Sequence, residues 1–221
     1  MAQSNSDKTL DVEIIAKLER QFGSRFAAIV RDSPTLRSDL RKAHALGVRI
    51  KRWNGKTGAY CRYYPTDRRN AYISIGSLDS PMMKVIYLAH ECYHVLYGTT
   101  PALPDPRKIS RKRYLSMAIG EEARAIMRQT KVANELWSTG KHAMPAWQLN
   151  LMLMELTGGY KQLREYVLVA RQSFGMETYE QNYGRIWDQA HRKLNRERQL
   201  KLKSSSSLRR RRANRSISKA A

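Results

Sequence analysis

The five residues His90-Glu91-Cys92-Tyr93-His94 form the most informative pattern in this chain, because they read H-E-x-x-H. Positions four apart lie on the same face of an α-helix, so His90 and His94 can bind one metal ion together. Glu91 would then lie beside the metal, where a carboxylate can take a proton from metal-bound water. This spacing favours hydrolytic chemistry at one zinc ion. The alternative is a helix that carries two polar residues on one face and binds no metal.

The residues around the motif predict a helix from Met82 to Tyr97. Ser80 is a favourable N-cap, Pro81 suits the first helical position, and Gly98 follows the last apolar residue. The helix face around both histidines is mostly apolar, so we expect the imidazoles to point inward, where they need hydrogen-bond partners or a metal. Cys92 points to the opposite side and is expected to be a core thiol rather than a ligand.

A catalytic zinc site needs a third protein ligand, and Glu122 is the best candidate. A second helix is predicted from Arg111 to Trp137, and Glu122 lies at the centre of its apolar stripe. A lone buried carboxylate is costly unless a charge compensates it, and a metal ion would do so. The alternative is a buried glutamate paired with an arginine. Glu121 lies about 100° round the helix, so we expect it to face solvent or to orient a ligand through a hydrogen bond.

The motif together with Glu122, 28 residues after His94, resembles the gluzincin branch of the zincin metallopeptidases. The stretch Glu122-Ala123-Arg124-Ala125 is similar to the Glu-x-x-Ala/Ser pattern on the glutamate helix of several bacterial families, and the further histidine of metzincins is absent. The likeness covers about Ala71 to Trp137. It implies a zinc-dependent endopeptidase, a hydrolase acting on a protein or peptide substrate, with one zinc ion on His90, His94 and Glu122 and with Glu91 as general base.

Three short β-rich runs precede the motif, namely Val48–Trp53, Ala59–Tyr64 and Ala71–Gly76. The segment Asn54-Gly55-Lys56-Thr57-Gly58 is typical of a hairpin between the first two runs. This order of elements resembles that of zincins, in which a small sheet precedes the active-site helix. The edge strand of that sheet lines the cleft, where a substrate peptide can add as a further strand. The expected fold class is α+β: a mainly helical, zincin-like domain with a small three-stranded antiparallel or mixed sheet before the active-site helix.

The rest of the chain is predicted to be helical as far as a basic tail. Helical spacing is found in Leu10–Val30, Thr35–Leu46, Pro145–Leu156, Tyr160–Phe174 and a last helix that starts near Glu177. One side of that helix is formed by Tyr179, Tyr183, Ile186, Trp187 and Ala190. We expect one zincin-like domain over residues 1–203 and a disordered basic tail over residues 204–221.

Positive charge is the second strong signal. The formal net charge is +22, and residues 191–221 contribute half of it, with twelve Lys or Arg and one acidic residue. The tail could bind nucleic acid or another polyanion, be attracted to acidic partners or membrane surfaces, act as a nuclear-import signal, or only keep the protein soluble. Aromatic residues are not interleaved with its charges, so a base-stacking surface in the tail is not expected.

Two cysteines, Cys61 and Cys92, cannot form a disulfide framework and suit a reducing compartment. No apolar signal peptide or transmembrane run is seen, so we expect a cytoplasmic protein, or one exported without a cleaved signal, such as an effector delivered into a host cell. Two functions stay open: a zinc endopeptidase, and a basic nucleic-acid-binding protein with a structural or accidental H-E-x-x-H. For the endopeptidase, the candidates to stabilise an oxyanion are His142, Tyr114 and Tyr160.

Overall fold

The computed structural model describes residues 5–64, 67–170 and 177–217, with side chains described from residue 9 to residue 201. The fold is α+β and mainly helical, as the sequence predicts. Its elements in chain order are α1 (Asn5–Phe22), α2 (Ser24–Arg31), α3 (Pro34–Ala45), β1 (Arg49–Trp53), β2 (Ala59–Tyr64), β3 (Asp67–Gly76), α4 (Pro81–Tyr97), α5 (Arg111–Ser138), α6 (Ala146–Val169) and α7 (Tyr179–Ile217).

The sheet is mixed, with strand order β1-β3-β2, and the predicted hairpin between β1 and β2 is wrong. β1 runs parallel to β3, and β2 pairs with β3 in the antiparallel direction. β3 carries the buried Ala71, Ile73 and Ile75, and it takes the central place, where it is hydrogen-bonded to a neighbouring strand along both edges. The segment 54–58 instead crosses the end of β3, where Gly76 N donates to Gly58 O at 2.6 Å.

Helix α4 begins and ends where the sequence predicts. The Ser80 hydroxyl accepts a hydrogen bond from Met83 N at 3.3 Å, Pro81 occupies the first turn, and Gly98 N donates to His94 O at 2.9 Å. Helix α4 packs against the sheet and against α2, α3 and α5, and Cys92 is fully buried in the main hydrophobic core. The placement of Cys92 as a core thiol is therefore confirmed.

Glycines interrupt the helical stretches at two places. The run from Leu10 to Val30 is divided at Gly23, whose φ of 93° is open to glycine at little cost, so α1 and α2 are separate helices. Helix α6 is kinked at Gly159 (φ 56°, ψ −146°), which is where the sequence ends one helix and starts another. The predicted end of that second helix, at Phe174 and Gly175, lies outside the described residues.

Helix α7 continues to Ile217, so most of the segment expected to be a disordered tail has a helical backbone in the structure. The predicted domain boundary after residue 203 stays a prediction, since side chains beyond residue 201 are not described. In the described part of the chain, no helix combines the length and apolar character needed to span a membrane.

Candidate metal centre

Three side chains from two helices converge at the place where α4 packs against α5. His90 Nε2 lies 3.2 Å from Glu122 Oε2 and 3.2 Å from His94 Nε2, and His94 Nε2 lies 3.5 Å from Glu122 Oε2. Glu122 and His94 are only 5% and 6% exposed, and His90 is partly buried. The structure therefore brings together the two histidines and the glutamate that the sequence singles out, as one group whose ligand atoms could hold a metal ion.

The size of this triangle fits a zinc ion. Ligand atoms placed tetrahedrally at about 2.05 Å from zinc lie about 3.3 to 3.4 Å apart, and the three separations here are 3.2, 3.2 and 3.5 Å. Both histidines present Nε2, and both ring nitrogens face the same carboxylate oxygen. Two imidazoles and one carboxylate are the donor set of many catalytic zinc sites, in which a fourth position stays open.

Glu121 holds His94 from behind. His94 Nδ1 donates to Glu121 Oε1 at 2.9 Å, so that Nε2 of the same ring faces Glu122 and His90. Tyr63 of β2 donates its hydroxyl to the same oxygen at 2.5 Å, and the backbone N–H groups of Thr99 and Thr100 donate to Oε2 at 2.8 Å each. Glu121 does not face solvent, since it is only 4% exposed, and it makes the hydrogen bond to His94 that would orient this candidate ligand.

Gly98 makes this support possible. It follows α4 and lies against Glu121, where a Cβ atom would come within 2.6 Å of Oε1 and would also overlap the Tyr63 hydroxyl. Because only glycine lacks that atom, the chain after α4 can approach closely enough to point two N–H groups at the carboxylate.

Helix α7 supplies the partner of the second oxygen of Glu122. The Tyr183 hydroxyl donates to Glu122 Oε1 at 2.5 Å, which leaves Oε2 directed at the two histidines. The compensating groups around Glu122 are thus two imidazoles and a phenol, and the alternative of an arginine partner is not what the structure shows.

Glu91 lies beside the cluster without joining the triangle. It is partly buried, and it lies close enough to the Cys61 thiol of β2 for its charge to act on that thiol. Burial raises the pKa of the Cys61 thiol well above its ordinary value, and the negative charge of Glu91 raises that pKa further. Cys61 is therefore a neutral thiol in the wall of the site, and Glu91 lies outside the group of atoms that could hold a metal ion.

The charges of the cluster support one another. Burial lowers the pKa of His94, but the carboxylates of Glu122 and Glu121 outweigh burial and hold the pKa of the imidazole well above its ordinary value. Burial raises the pKa of Glu121, but hydrogen bonds and charge from His94, with the Tyr63 hydroxyl, lower that pKa to about 2. Burial also raises the pKa of Glu122, but the positive charge of His94 and the hydrogen bond from His90 outweigh burial and hold that pKa below its ordinary value. Without a metal, protons thus supply the positive charge that a divalent cation would bring.

The three candidates for oxyanion stabilisation lie in different places. His142 Nε2 contacts Asp32 Oδ2 at 2.9 Å, and the Tyr160 ring covers the Arg124 guanidinium at 5.8 Å. Tyr114 packs edge-on against Tyr183 with ring centroids 6.1 Å apart, and its buried hydroxyl has no hydrogen-bond partner among the described residues. Burial, followed by the charge of Glu121, raises the pKa of Tyr114 to about 12. Because Tyr114 is near Glu121 and contacts Tyr183, it is the one of these three candidates that lies beside the cluster.

The sequence reasoning missed Cys61, Tyr63, Tyr179 and Tyr183 as residues of this site. Alternation along β2 could have indicated that Cys61 and Tyr63 share the face that meets the motif helix. No local signal could have indicated Tyr183, which is 61 residues from Glu122 in sequence. Tyr179, one helical turn earlier, is near enough for Glu122 and Glu91 to add to the effect of burial in raising its pKa.

Comparison with protein-family models, with curated proteins and with solved structures finds no match to this chain. What the site does must therefore be inferred from its own residues.

Proposed function

We propose that this protein is a zinc-dependent endopeptidase of the gluzincin type, with His90, His94 and Glu122 as the zinc ligands. The observation that carries the proposal is the triangle of ligand atoms with sides of 3.2 to 3.5 Å, to which Glu121 adds a carboxylate behind His94. Carboxylate–histidine–metal arrangements of this kind orient the ring and make it a better ligand. A pair of histidines placed only to fill a core would not need a buried carboxylate on each side.

The residues around the triangle have separate tasks in hydrolysis. A bound zinc ion would polarise the scissile carbonyl and acidify a coordinated water. Glu91, next to His90 on α4 and outside the triangle, takes the proton from the attacking water and passes it to the leaving amine. Tyr183 donates to Glu122 Oε1, so that Oε2 is the oxygen of this carboxylate that would be available to hold a metal ion. The hydroxyls of Tyr114 and Tyr179, both near these carboxylates, are the candidates to stabilise the oxyanion.

The substrate would lie along β2. This strand is an edge of the sheet, and its inner face presents Cys61 to Glu91 and Tyr63 to Glu121. An edge strand offers unpaired backbone N–H and C=O groups to an extended peptide, which can add to the sheet as a further strand. Binding of this kind depends mainly on the peptide backbone, so we expect an endopeptidase that accepts unfolded or extended segments of proteins.

The proposal is tested by the zinc content and the hydrolytic activity of the purified full chain. We expect about one zinc per chain by elemental analysis, and cleavage of a fluorescence-quenched peptide library that a chelator abolishes. Glu91→Gln should keep zinc and fold but lower the cleavage rate by at least about a hundredfold, because general-base catalysis contributes that much and the amide is nearly isosteric.

Glu165→Gln is the matched control, since Glu165 is an exposed glutamate on α6. It should cleave the library at the wild-type rate. Protein without zinc after growth in zinc-supplemented medium would contradict the proposal, and so would a Glu91→Gln variant with full activity.

A further inference from the structure

The outer face of the sheet, on the side opposite α4, is lined by aromatic and basic side chains. The strand register places Arg49 opposite Tyr72, Arg62 opposite Tyr72, and Tyr60 opposite Ser74. Residues directly opposite each other in a sheet share a face, and they alternate here with the buried Ile73 and Ile75 of the inner face. The outer face is thus formed by Arg49, Lys51, Trp53, Tyr60, Arg62, Tyr64 and Tyr72, which we call the aromatic-basic face.

The aromatic rings form a continuous row across the three strands. The Trp53 and Tyr60 ring centroids are 5.0 Å apart, and those of Tyr60 and Tyr72 are 6.0 Å apart, both pairs in edge-to-face contact. Tyr60 and Tyr64 remain 39% and 47% exposed. Rows of edge-to-face rings stabilise a sheet, but burial of apolar surface would favour covering them, and the rings of Tyr60 and Tyr64 are left exposed.

Cations are interleaved with these rings. Lys51 Nζ lies 4.1 Å from the centroid of the Tyr72 ring, and the Arg62 guanidinium lies 5.8 Å from that of Tyr64. Lys51, Arg62 and Arg49 are exposed. The three strands hold six Lys or Arg and one acidic residue, Asp67, which is itself bonded to Arg69. The face is therefore both positive and aromatic.

The elements that pack on the sheet in the described part of the chain leave this face uncovered. Outside the sheet, β2 and β3 pack mainly against α4, Tyr63 of β2 also reaches Glu121 of α5, and β1 has a small contact with α1. A sheet covered by helices on one side, with exposed rings and cations on the other, can receive a ligand that stacks and that carries negative charge.

We propose that the aromatic-basic face binds single-stranded nucleic acid. Bases stack on exposed aromatic rings, and the phosphate backbone between them is drawn to lysine and arginine side chains, which is how other sheet surfaces bind single strands. A duplex would not fit this chemistry, because its base faces are already stacked on each other. An acidic peptide would use the cations but would leave the row of rings without partners.

This site is separate from the metal centre and does not rest on the proposed peptidase activity. β2 contributes to both, since Cys61 and Tyr63 face inward while Tyr60, Arg62 and Tyr64 face outward. It also differs from the polyanion binding expected of the basic tail, because the tail lacks rings on which bases could stack.

The test compares two probes on the full-length protein by fluorescence anisotropy at one fixed salt concentration. One probe is a labelled oligothymidylate of about twelve nucleotides, and the other is an abasic oligonucleotide with the same number of phosphates. Tyr60→Leu should raise the Kd for the base-bearing probe by at least about fivefold and leave the Kd for the abasic probe within about twofold, because only stacking is removed. Lys51→Gln should raise the Kd for both probes to a similar degree. An oligouridylate in place of the DNA probe shows whether the face prefers RNA.

Tyr160→Leu is the matched control, since Tyr160 is 37% exposed but lies on α6. It should bind both probes as the wild-type protein does. Tyr64→Leu, at the end of β2, is a second stacking variant, and each variant is compared by its thermal transition so that a loss of fold is not taken for a loss of binding. Equal affinity of the wild-type protein for the two probes would overturn the proposal, as would tighter binding of a duplex or no effect of either tyrosine variant.

Discussion

Two adjacent carboxylates, Glu121 and Glu122, have different tasks because an α-helix turns by about 100° between neighbouring residues. Glu122 points at His90 and His94, whereas Glu121 points at the back of His94 and at the chain that follows α4. Each carboxylate is held by a tyrosine hydroxyl from another element, Tyr63 for Glu121 and Tyr183 for Glu122. The two positions therefore respond differently to substitution.

We expect Glu122→Ala to lose most of its zinc during dialysis, because two histidines alone hold the ion far more weakly than three ligands. Glu121→Ala removes a group that only orients His94, so it should keep zinc at saturating metal and bind it about 10- to 100-fold more weakly. Competition with a chromogenic zinc chelator measures both affinities. Zinc loss on changing Glu121 alone would show that the assignment of the third ligand is wrong.

The pKa shifts predict how the metal-free protein responds to pH. The pKa of His94 is raised in the folded state, so its contribution to stability is fully present below the unfolded-state pKa of about 6.5 and is lost as the pH rises through the folded pKa. The pKa of Glu121 is lowered to about 2, so its contribution is present above about 4.5 and is lost as the pH falls towards 2.

The chelator-treated protein should therefore have a higher Tm near pH 6 than near pH 9, as measured by circular dichroism. In His94→Gln, the difference should be smaller, because the group that titrates in this range has been removed. A metal-free Tm that rises from pH 6 to pH 9 would contradict the charge state assigned to His94.

Among the helices, α5 connects the site to the rest of the fold. Its Arg128 donates two hydrogen bonds, of 2.7 and 2.6 Å, to Asp39 of α3, whose side chain is completely buried. Farther along α5, Glu135 accepts hydrogen bonds from the Ser33 hydroxyl and from Thr35 N at the start of α3. These polar contacts join α5, which carries Glu122, to α3.

We expect Arg128→Leu to lower the free energy of unfolding by about 3 kcal/mol, because it leaves the Asp39 carboxylate buried without its partner. Urea denaturation of the zinc-loaded protein measures the change. Arg107→Leu is the control, since Arg107 makes a similar two-point pair with Asp105 on the surface, and it should have little effect. Equal stability of the two variants would mean that the Asp39 pair does not hold α3 against α5.

At the scale of the whole molecule, half of the net positive charge lies in the last thirty-one residues. Deleting Ser204 to Ala221 removes six Lys or Arg residues and almost no apolar surface, so the thermal transition and the zinc content should not change. Affinity for heparin should fall, and its dependence on salt should become shallower, because fewer counterions are released. Both are measured by titration at several salt concentrations.

A full-length variant with the six basic residues changed to Gln is the control for chain length, and it should match the deletion in heparin binding. If the deleted protein became insoluble or lost its thermal transition, residues 204–221 would belong to the fold, and the predicted boundary after residue 203 would be wrong.

The sequence alone determined the features that depend on residues within one or two helical turns of each other. Ser80, Pro81 and Gly98 predict the ends of α4, and these ends are confirmed because capping is a contact between residues three or four apart. The inward direction of His90, His94 and Glu122 follows from helical periodicity, which is also local. Spacing alone therefore indicates which three side chains could converge on a metal ion.

Only the tertiary structure decided how the elements meet. The glycine-rich segment 54–58 has the composition of a hairpin, yet β3 lies between β1 and β2, because strand order depends on which strand has the most surface to bury. Tyr63 reaches Glu121 across 58 positions of sequence and Tyr183 reaches Glu122 across 61. Such contacts depend on the angle and depth at which whole elements dock, and those are set by the packing of the entire core rather than by any local pattern.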